Sequence, residues 1–473
     1  MDMSVHAAPA WPAAHAASPE LPAENEQEPC IIAGLEPTGT VRRAFADRGI
    51  ADSALSFQPD LRLPCGKTVL RLERDSGEPL NRAGTLRAVW HRPPYAVRLR
   101  LVRYDAGSAV PLVLDEAVVG TRGAFTEFVQ GTERVAVQLL ADALCGSGRR
   151  FSDAESSYSA LPPVSGMDGC FDHLRARWAD RLRSEWWSLG FTSRSPREIL
   201  RAGSLGTVQW LAPALGTAYC ADPFPWPGTG KVLCEEMPLT GGHGRIVVLT
   251  ERDGVFRHDG VVLEDGEHHS YPCIYRENNE TFLLPETTSR GGTMLYRVSD
   301  GYSLTPICAV AEGRRLADPT LFRHEGRYWI ACTDLDFGSH DNLVLLYADH
   351  LDGPWHSHPV APARIDIRGA RPAGSPFVVD GVLFRPAQDC AATYGGGIAI
   401  NRIDVLTPQA FQESPVLRLL PDVGGPFPHG LHTFVSDGAR TWIDGKRFVL
   451  DWPTLRQKLE ARLRRRRSAG VSG

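Results

Sequence analysis

Long apolar runs are missing: nowhere in the 473 residues do about 18 apolar side chains follow one another, as a membrane-crossing helix requires, so such a helix is excluded. C-x-x-C pairs are missing too. The ten cysteines stand at 30, 65, 145, 170, 220, 234, 273, 308, 332 and 390, with no histidine at zinc spacing, so reduced, mostly buried thiols are expected and no metal ligand set is assigned. Excess charge of one sign is also absent. With 51 Lys and Arg against 56 Asp and Glu, no global field draws the chain onto nucleic acid, and a charged partner must be met locally. Residues 1–29, rich in Ala, Pro and Glu, lack the unbroken apolar core of a signal peptide and read as a disordered leader, which points to the cytoplasm. At the other end, Leu455, Leu459 and Leu463 recur at helical spacing before Arg464, Arg465, Arg466 and Arg467. Residues 453–473 thus read as a basic helical tail, either solvated or in weak peripheral contact with the inner membrane face, each basic residue near anionic lipid adding about 1 kcal/mol.

Between these ends the texture changes once. Residues 30–145 mix apolar runs (30–35, 96–102, 111–119) with a helical stretch over 133–144, which suggests a small α/β domain. Residues 146–185 read as linker and helix, the helix running from Asp172 to Trp187. From 186 to 452 short β-rich runs repeat. CADPF (220–224), HSYPC (269–273), LADPTLF (316–322) and ARPAGSPF (370–377) each open a segment, and their first prolines, Pro223, Pro272, Pro319 and Pro372, are 49, 47 and 53 residues apart. That is a propeller-blade period. Within each segment a second strand (KVLCEEM, TFLLPETT, YWIACTDL, VLFRPAQD) and a third (GRIVVLTE, TMLYRVSD, NLVLLYADH, GGIAINRID) recur, and the stretch HGLHTFVSDGARTWIDGKRFVL supplies a last unit. The expected fold is mainly β: a five-bladed β-propeller, its last blade completed by a strand from Gly206 to Leu211, since closure by both termini removes free edges. Four blades plus a cap is the competing count.

In a propeller the innermost strands line the channel, so equivalent repeat positions converge. These positions hold Asp222, Ser270 with Tyr271, Asp318 and Arg371, with His269 alongside. A single Asp-Pro is a common turn former; two at one repeat position facing one channel argue for chemistry. The second-strand ends add Glu235, Glu236, Glu286, Asp334, Arg385, Gln388 and Asp389, and the loop before the third strand adds His243 and Arg245. Paired carboxylates suit glycosyl chemistry, where one group donates a proton to the leaving oxygen and another activates the acceptor. Arg245, Arg371 and Arg385 each suit an ion pair singly, and as a set they point to an anionic ligand. Of the aromatics, Trp329 and Trp355 suit the core, while Tyr271 and Tyr394 suit the pocket.

The arrangement resembles the arabinanase and β-xylosidase superfamily of five-bladed carbohydrate enzymes. The series ADPF (221–224), HSYP (269–272), PE (285–286), GPW (353–355), ARPAG (370–374), RPAQD (385–389) and YGGGIAI (394–400) resembles more closely the amino-terminal propeller region of plant glucosamine inositolphosphorylceramide transferases and of bacterial proteins similar to it. The first resemblance implies Asp222 as general base and Asp318 as a supporting aspartate. Arg371 stands where it would place a glutamate acid, with Glu286 as substitute from another strand. In the plant transferases a carboxyl-terminal glycosyltransferase domain accompanies the propeller; after residue 452 this sequence reads as a tail. Arg92-Pro93-Pro94 and the strands after it resemble a degenerate formyltransferase-like domain, but His91, Asp105 and Asp115 form no convincing folate-dependent set.

The expectation is therefore a carbohydrate-active enzyme that transfers sugar from an activated anionic donor in surface-polysaccharide or glycolipid assembly, with Asp222, Asp318 and Glu286 catalytic. Glu236, His243, Arg245, His269, Tyr271, Arg371, Arg385, Gln388, Asp389 and Tyr394 are expected to bind substrate. A glycosidase or phosphorylase of the same fold and a non-catalytic glycan-binding module are the rivals. No cofactor is named by these residues, and metal use stays open because channel carboxylates can hold a cation.

Overall fold

A computed structural model describes the strands and helices between residues 30 and 144, and residues 183–450 apart from 212–217, 239–241 and 288–291. The leader, the Arg92-Pro93-Pro94 motif with His91, the linker and helix up to residue 182, and the basic tail lie outside the described residues.

Five sheets form the propeller. Blade I comprises Ala218–Trp226, Lys231–Pro238, Arg245–Arg252 and Val255–Leu263, in order from the channel outwards. Blade II follows with His269–Glu277, Glu280–Thr287, Thr293–Val298 and Leu304–Ala311. Blade III holds Leu316–His324, Arg327–Asp334, Asn342–Ala348 and His356–Ser357, and blade IV holds Phe377–Val379, Val382–Asp389, Gly397–Leu406 and Phe411–Leu419. Several tight hairpins turn on residue pairs with positive φ, such as Asp253-Gly254 and Asp380-Gly381, the backbone that two-residue β-turns require.

Blade V closes the ring from both sides. Phe434–Ser436 and Thr441–Leu450 come from the late chain, Arg183–Thr192 and Gln209–Trp210 from the early one. This corrects the sequence reading. Residues 183–187 belong to a strand, because RSEWWSLGFT pairs in unbroken register with Thr441–Leu450, Leu189 facing Asp444. Its bulky aromatics suit a pleated surface once a partner strand is available. The Gly206–Leu211 stretch contributes only the short outermost strand. The fourth strands of blades I–IV, less apolar and more exposed, had no counterpart in the sequence reading.

Large apolar side chains fill the spaces between sheets. Phe224, Leu233, Tyr271, Leu283, Leu321 and Ile330 form one such cluster, and Trp329 with Leu343, Leu345 and Phe411 forms another.

Ahead of the propeller, β1 (Cys30–Ala33), β2 (Leu55–Gln58), β3 (Val69–Arg74), β4 (Ala96–Tyr104) and β5 (Leu112–Gly120) make a sheet of order β2-β1-β3-β4-β5, with α1 (Gly39–Ala46) and α2 (Phe125–Leu144) sharing its core. The edge strand β5 meets the propeller: Ile367 N–H donates to the Val118 carbonyl at 3.1 Å, and Arg368 lies 3.7 Å from Glu116. Among the described residues no helix is long and apolar enough to cross a membrane.

Candidate active site at the propeller channel

The motif prolines mark a structural device. In blade I the ladder pairs Ala221 with Glu235 and next Phe224 with Leu233, leaving Asp222 and Pro223 as a bulge. The same bulge recurs at Tyr271-Pro272 and Asp318-Pro319. Proline, lacking an N–H, fits where the ladder is interrupted. The residue before it takes positive φ each time: 55° at Asp222, 45° at Tyr271 and 49° at Asp318. Such left-handed backbone is uncommon for a tyrosine and marks strain held by the surroundings.

The bulges border a cavity of about 190 Å³ whose walls include Glu185, Trp187, Tyr219, Asp222, Glu235, Met237, His268, Ser270, Glu286, Asp318, Arg371, Tyr394 and His432. Asp222 is fully enclosed. Its Oδ2 accepts the Tyr271 N–H at 3.1 Å, its Oδ1 accepts the Thr433 hydroxyl at 2.9 Å, and its own N–H donates to Asp444 Oδ2 at 3.0 Å. Burial lifts its pKa to about 6, against the pull of His432 and with help from Asp444 and Asp318. Glu286 accepts the Asp318 N–H at 2.9 Å, and burial and Asp318 lift it to about 8, so it is protonated at neutral pH. Burial and then Asp222 push Glu235 well above the usual carboxyl range. Asp318 is clamped by Arg371 (Nε to Oδ2 2.5 Å, Nη2 to Oδ1 3.2 Å) and by Gln388 Nε2 at 2.6 Å. The Arg371 guanidinium in turn lies 5.2 Å from the Tyr394 ring centre.

The late chain completes the wall. His432 Nδ1 lies 2.5 Å from Asp444 Oδ2, and its Nε2 lies 3.6 Å from Asp222 Oδ1. Burial would lower the His432 pKa, but Asp444 and Asp222 raise it above the ordinary value, while His432 pulls Asp444 below its own. Trp187, from the early strand of blade V, stacks on His432 with ring centres 3.8 Å apart. Asp222, His432 and Asp444 are the one group with metal-ligand spacing among the described residues. Asp444 links the other two, its Oδ2 bonded to His432 Nδ1 and to the Asp222 N–H and its Oδ1 to the His432 and Thr433 N–H groups, whereas His432 Nε2 stands beyond hydrogen-bond distance of Asp222.

The structure thus brings Asp222, Asp318, Glu286, Arg371, Gln388 and Tyr394 together, and sets other expected binding residues elsewhere. Glu236 points away from the cavity, paired with Arg245 at 2.6 Å, because consecutive strand residues face opposite sides; Glu235 is the one inside. Arg245 also holds Glu264, and His243 is exposed on the rim. His269 turns its Nε2 to Asp265 at 2.7 Å, and its neighbour His268 takes the cavity position. The Tyr271 side chain fills the space between blades, edge-on to Phe224 with its hydroxyl on Thr320, and only its backbone N–H serves the site. Arg385 is buried against Glu413 and the Gly369 and Ala370 carbonyls, tying blade IV together. Asp389 pairs with Arg418 at 2.6 Å, away from the cavity. His432, Asp444, Trp187, Tyr219, Met237 and His268 were missed. The last blade lacks the proline motif that flagged the others, and the early strand containing Trp187 read as a helix.

These features define a five-bladed propeller with an acid-lined central cavity. Residues 217–422 match the family described as glucosamine inositolphosphorylceramide transferase 1, N-terminal. The chain is 32% identical over 207 residues to glucosamine inositolphosphorylceramide transferase 1 of Oryza sativa subsp. indica, covering 42% of this chain and 28% of that protein. It is 33% identical over 162 residues to the protein of the same name from Arabidopsis thaliana, covering 33% of this chain and 21% of that one. The chain therefore spans about a quarter of the length of these relatives. Among solved structures, a family 117 glycoside hydrolase from Zobellia galactanivorans overlaps with a TM-score of 0.35 at 12% identity, over 55% of this chain and 80% of that one. A xylan β-1,4-xylosidase from Bacillus halodurans overlaps with a TM-score of 0.34 at 12% identity, over 44% and 48%. At that overlap the fold assignment rests on the sheet topology above.

Proposed function

We propose that the channel cavity is the active site of a carbohydrate-active enzyme that transfers a glycosyl group, with Asp222 taking the proton of the attacking hydroxyl and a protonated carboxyl giving one to the leaving oxygen. One observation carries this reading: carboxyl groups from four blades meet in one cavity, and two of them have their protonation pushed apart, Asp222 to about 6 and Glu286 to about 8. Titratable pairs separated in this way are what acid–base chemistry at a glycosidic bond needs. Asp318, neutralised by Arg371, aligns the wall between them. The family match supports the reading, since residues 217–422 contain Asp222, Glu235, Glu286, Asp318, Arg371 and Tyr394. The names of the matched relatives support sugar transfer in glycolipid assembly as its setting.

The bond broken is that of a neutral glycoside. Arg245, Arg371 and Arg385 are each paired with carboxylates, which removes the reason for expecting an anionic donor. The test is turnover of methyl and aryl glycosides and of nucleotide sugars by the purified protein, read by product chromatography, beside Asp222→Asn. Transfer to water or an added alcohol from a glycoside, lost in the variant, is expected. Equal turnover by Asp222→Asn refutes the site, and ligand binding without turnover of any substrate replaces the enzyme with a glycan-binding module.

A further inference from the structure

We propose that Glu235 is the proton donor of this cavity, its carboxyl left free by the way blade I joins blade II; the proposal rests on the glycosyl-transfer reading above. At two other blade junctions a second-strand acid is occupied by the bulge of the next blade. Glu286 of blade II accepts the Asp318 N–H at 2.9 Å, and Asp444 of blade V accepts the Asp222 N–H at 3.0 Å. Glu235 has the same register as Glu286, each facing the residue that precedes a bulge, Ala221 and Ser270 respectively. By repetition Glu235 would hold the Tyr271 N–H. That N–H instead goes to Asp222 Oδ2 at 3.1 Å. The exchange orients the base and releases the neighbouring acid into the same cavity.

The surroundings of Glu235 suit donation. Arg371 stands 3.8 Å from Glu286, whereas the one ion-pair neighbour of Glu235 among the described residues is His268, 3.6 Å from its Oε1. Gly244 N–H donates to His268 Nδ1 at 2.9 Å, so the ring proton sits on Nε2, the atom turned toward Glu235. Burial, then His269 and His243, lower the His268 pKa and keep the ring neutral. A gap of 3.6 Å is too long for a hydrogen bond, so Glu235 stays protonated at rest, with an N–H at hand for the carboxylate left after donation. Asp222, Glu286, Cys220 and Asp444 also face Glu235, and all disfavour its ionised form. Gly244 keeps the arrangement open: a Cβ there would collide with Glu235 Oε1 and lie 2.9 Å from the His269 carbonyl oxygen, which cannot move aside.

In the step itself the acceptor hydroxyl loses its proton to Asp222 as its oxygen bonds to the anomeric carbon. The bond from that carbon to the leaving oxygen breaks with its electron pair on oxygen, and the Glu235 proton moves onto it. Asp222 ends neutral and Glu235 ionised, and one proton exchanged through solvent restores both.

The test compares Glu235→Gln and Glu286→Gln on a methyl glycoside and a 2,4-dinitrophenyl glycoside of the sugar that wild-type protein turns over in an Asp222-dependent way. Loss of general acid catalysis lowers kcat/KM of Glu235→Gln on the methyl glycoside by about 10²–10⁴-fold. The dinitrophenyl glycoside, whose leaving group needs no proton, falls by less than about tenfold, and the alkaline limb of the pH profile disappears. Equal loss on both substrates, no loss, or the leaving-group pattern appearing in Glu286→Gln overturns the assignment while leaving the proposed function intact. A wild-type protein inactive on every glycoside overturns that function, and the donor role with it. As a substrate-free check, the infrared band of protonated carboxyls at pH 7 loses a component in Glu235→Gln; an unchanged band overturns the proposal.

Discussion

Glu286→Gln should stabilise the protein at neutral and alkaline pH, and by an amount that grows with pH. In the unfolded chain this carboxyl ionises near 4.5, whereas in the folded protein burial and the adjacent Asp318 hold its proton until about pH 8. Between those values the native state binds the extra proton, so rising pH withdraws stability at up to about 1.4 kcal/mol per pH unit. Over the interval from 4.5 to about 8 the loss reaches roughly 5 kcal/mol, and ionisation of the folded group ends it at higher pH. Glutamine cannot ionise, and its side-chain carbonyl can still accept the Asp318 N–H that Glu286 accepts at 2.9 Å. The difference between variant and wild type should therefore be near zero at pH 4.5 and climb to several kcal/mol by pH 8. Urea denaturation at pH 5, 6, 7 and 8, followed by tryptophan fluorescence, measures it. A difference that stays within about 1 kcal/mol across this range, or that shrinks as pH rises, refutes the claim that a protonated Glu286 is built into the wall.

Other substitutions separate the site from its supports. Asp222→Asn should lower turnover by about 10²–10⁴-fold while circular dichroism and urea midpoint stay close to wild type, since asparagine still accepts a backbone N–H; a lost fold would contradict this. Trp187→Ala removes the ring stacked on His432 and should cost about 3–5 kcal/mol, read from the urea midpoint; a cost below about 1 kcal/mol would show that the stacked ring does not support the cavity wall. Arg385→Met removes the two-pronged partner of the buried Glu413, leaving only Arg364 at 3.5 Å and Asn401 at 3.4 Å, and should cost about 3–5 kcal/mol, most of it recovered in Arg385→Met/Glu413→Leu, with KM unchanged in the double variant. A raised KM there would return Arg385 to the binding site.

Sequence reasoning located the cavity through repetition, and Asp222, Asp318 and Glu286 were legible because each sits at a recurring position beside a proline or at a strand end. It succeeded with Trp329, whose size and setting suited the packing between sheets. It failed where one residue decides the facing. Glu235 and Glu236 are adjacent, both lie in a strand buried on both faces, and alternation alone does not say which of them meets the channel. Arg371 and Arg385 read alike as channel cations, yet one clamps Asp318 and the other ties blade IV to Glu413.

The blade period, the proline-marked bulges and the mainly β architecture were therefore present in the linear order of residues, because each blade repeats a local pattern of strand, turn and bulge. The contacts of His432 and Asp444 with Asp222 arose only when the late chain closed against blade I, and the Trp187 ring reached them only when the early strand Arg183–Thr192 paired with Thr441–Leu450. No local pattern announces these contacts, since the residues that make them lie on segments far apart in the chain that become neighbours only through closure of the ring.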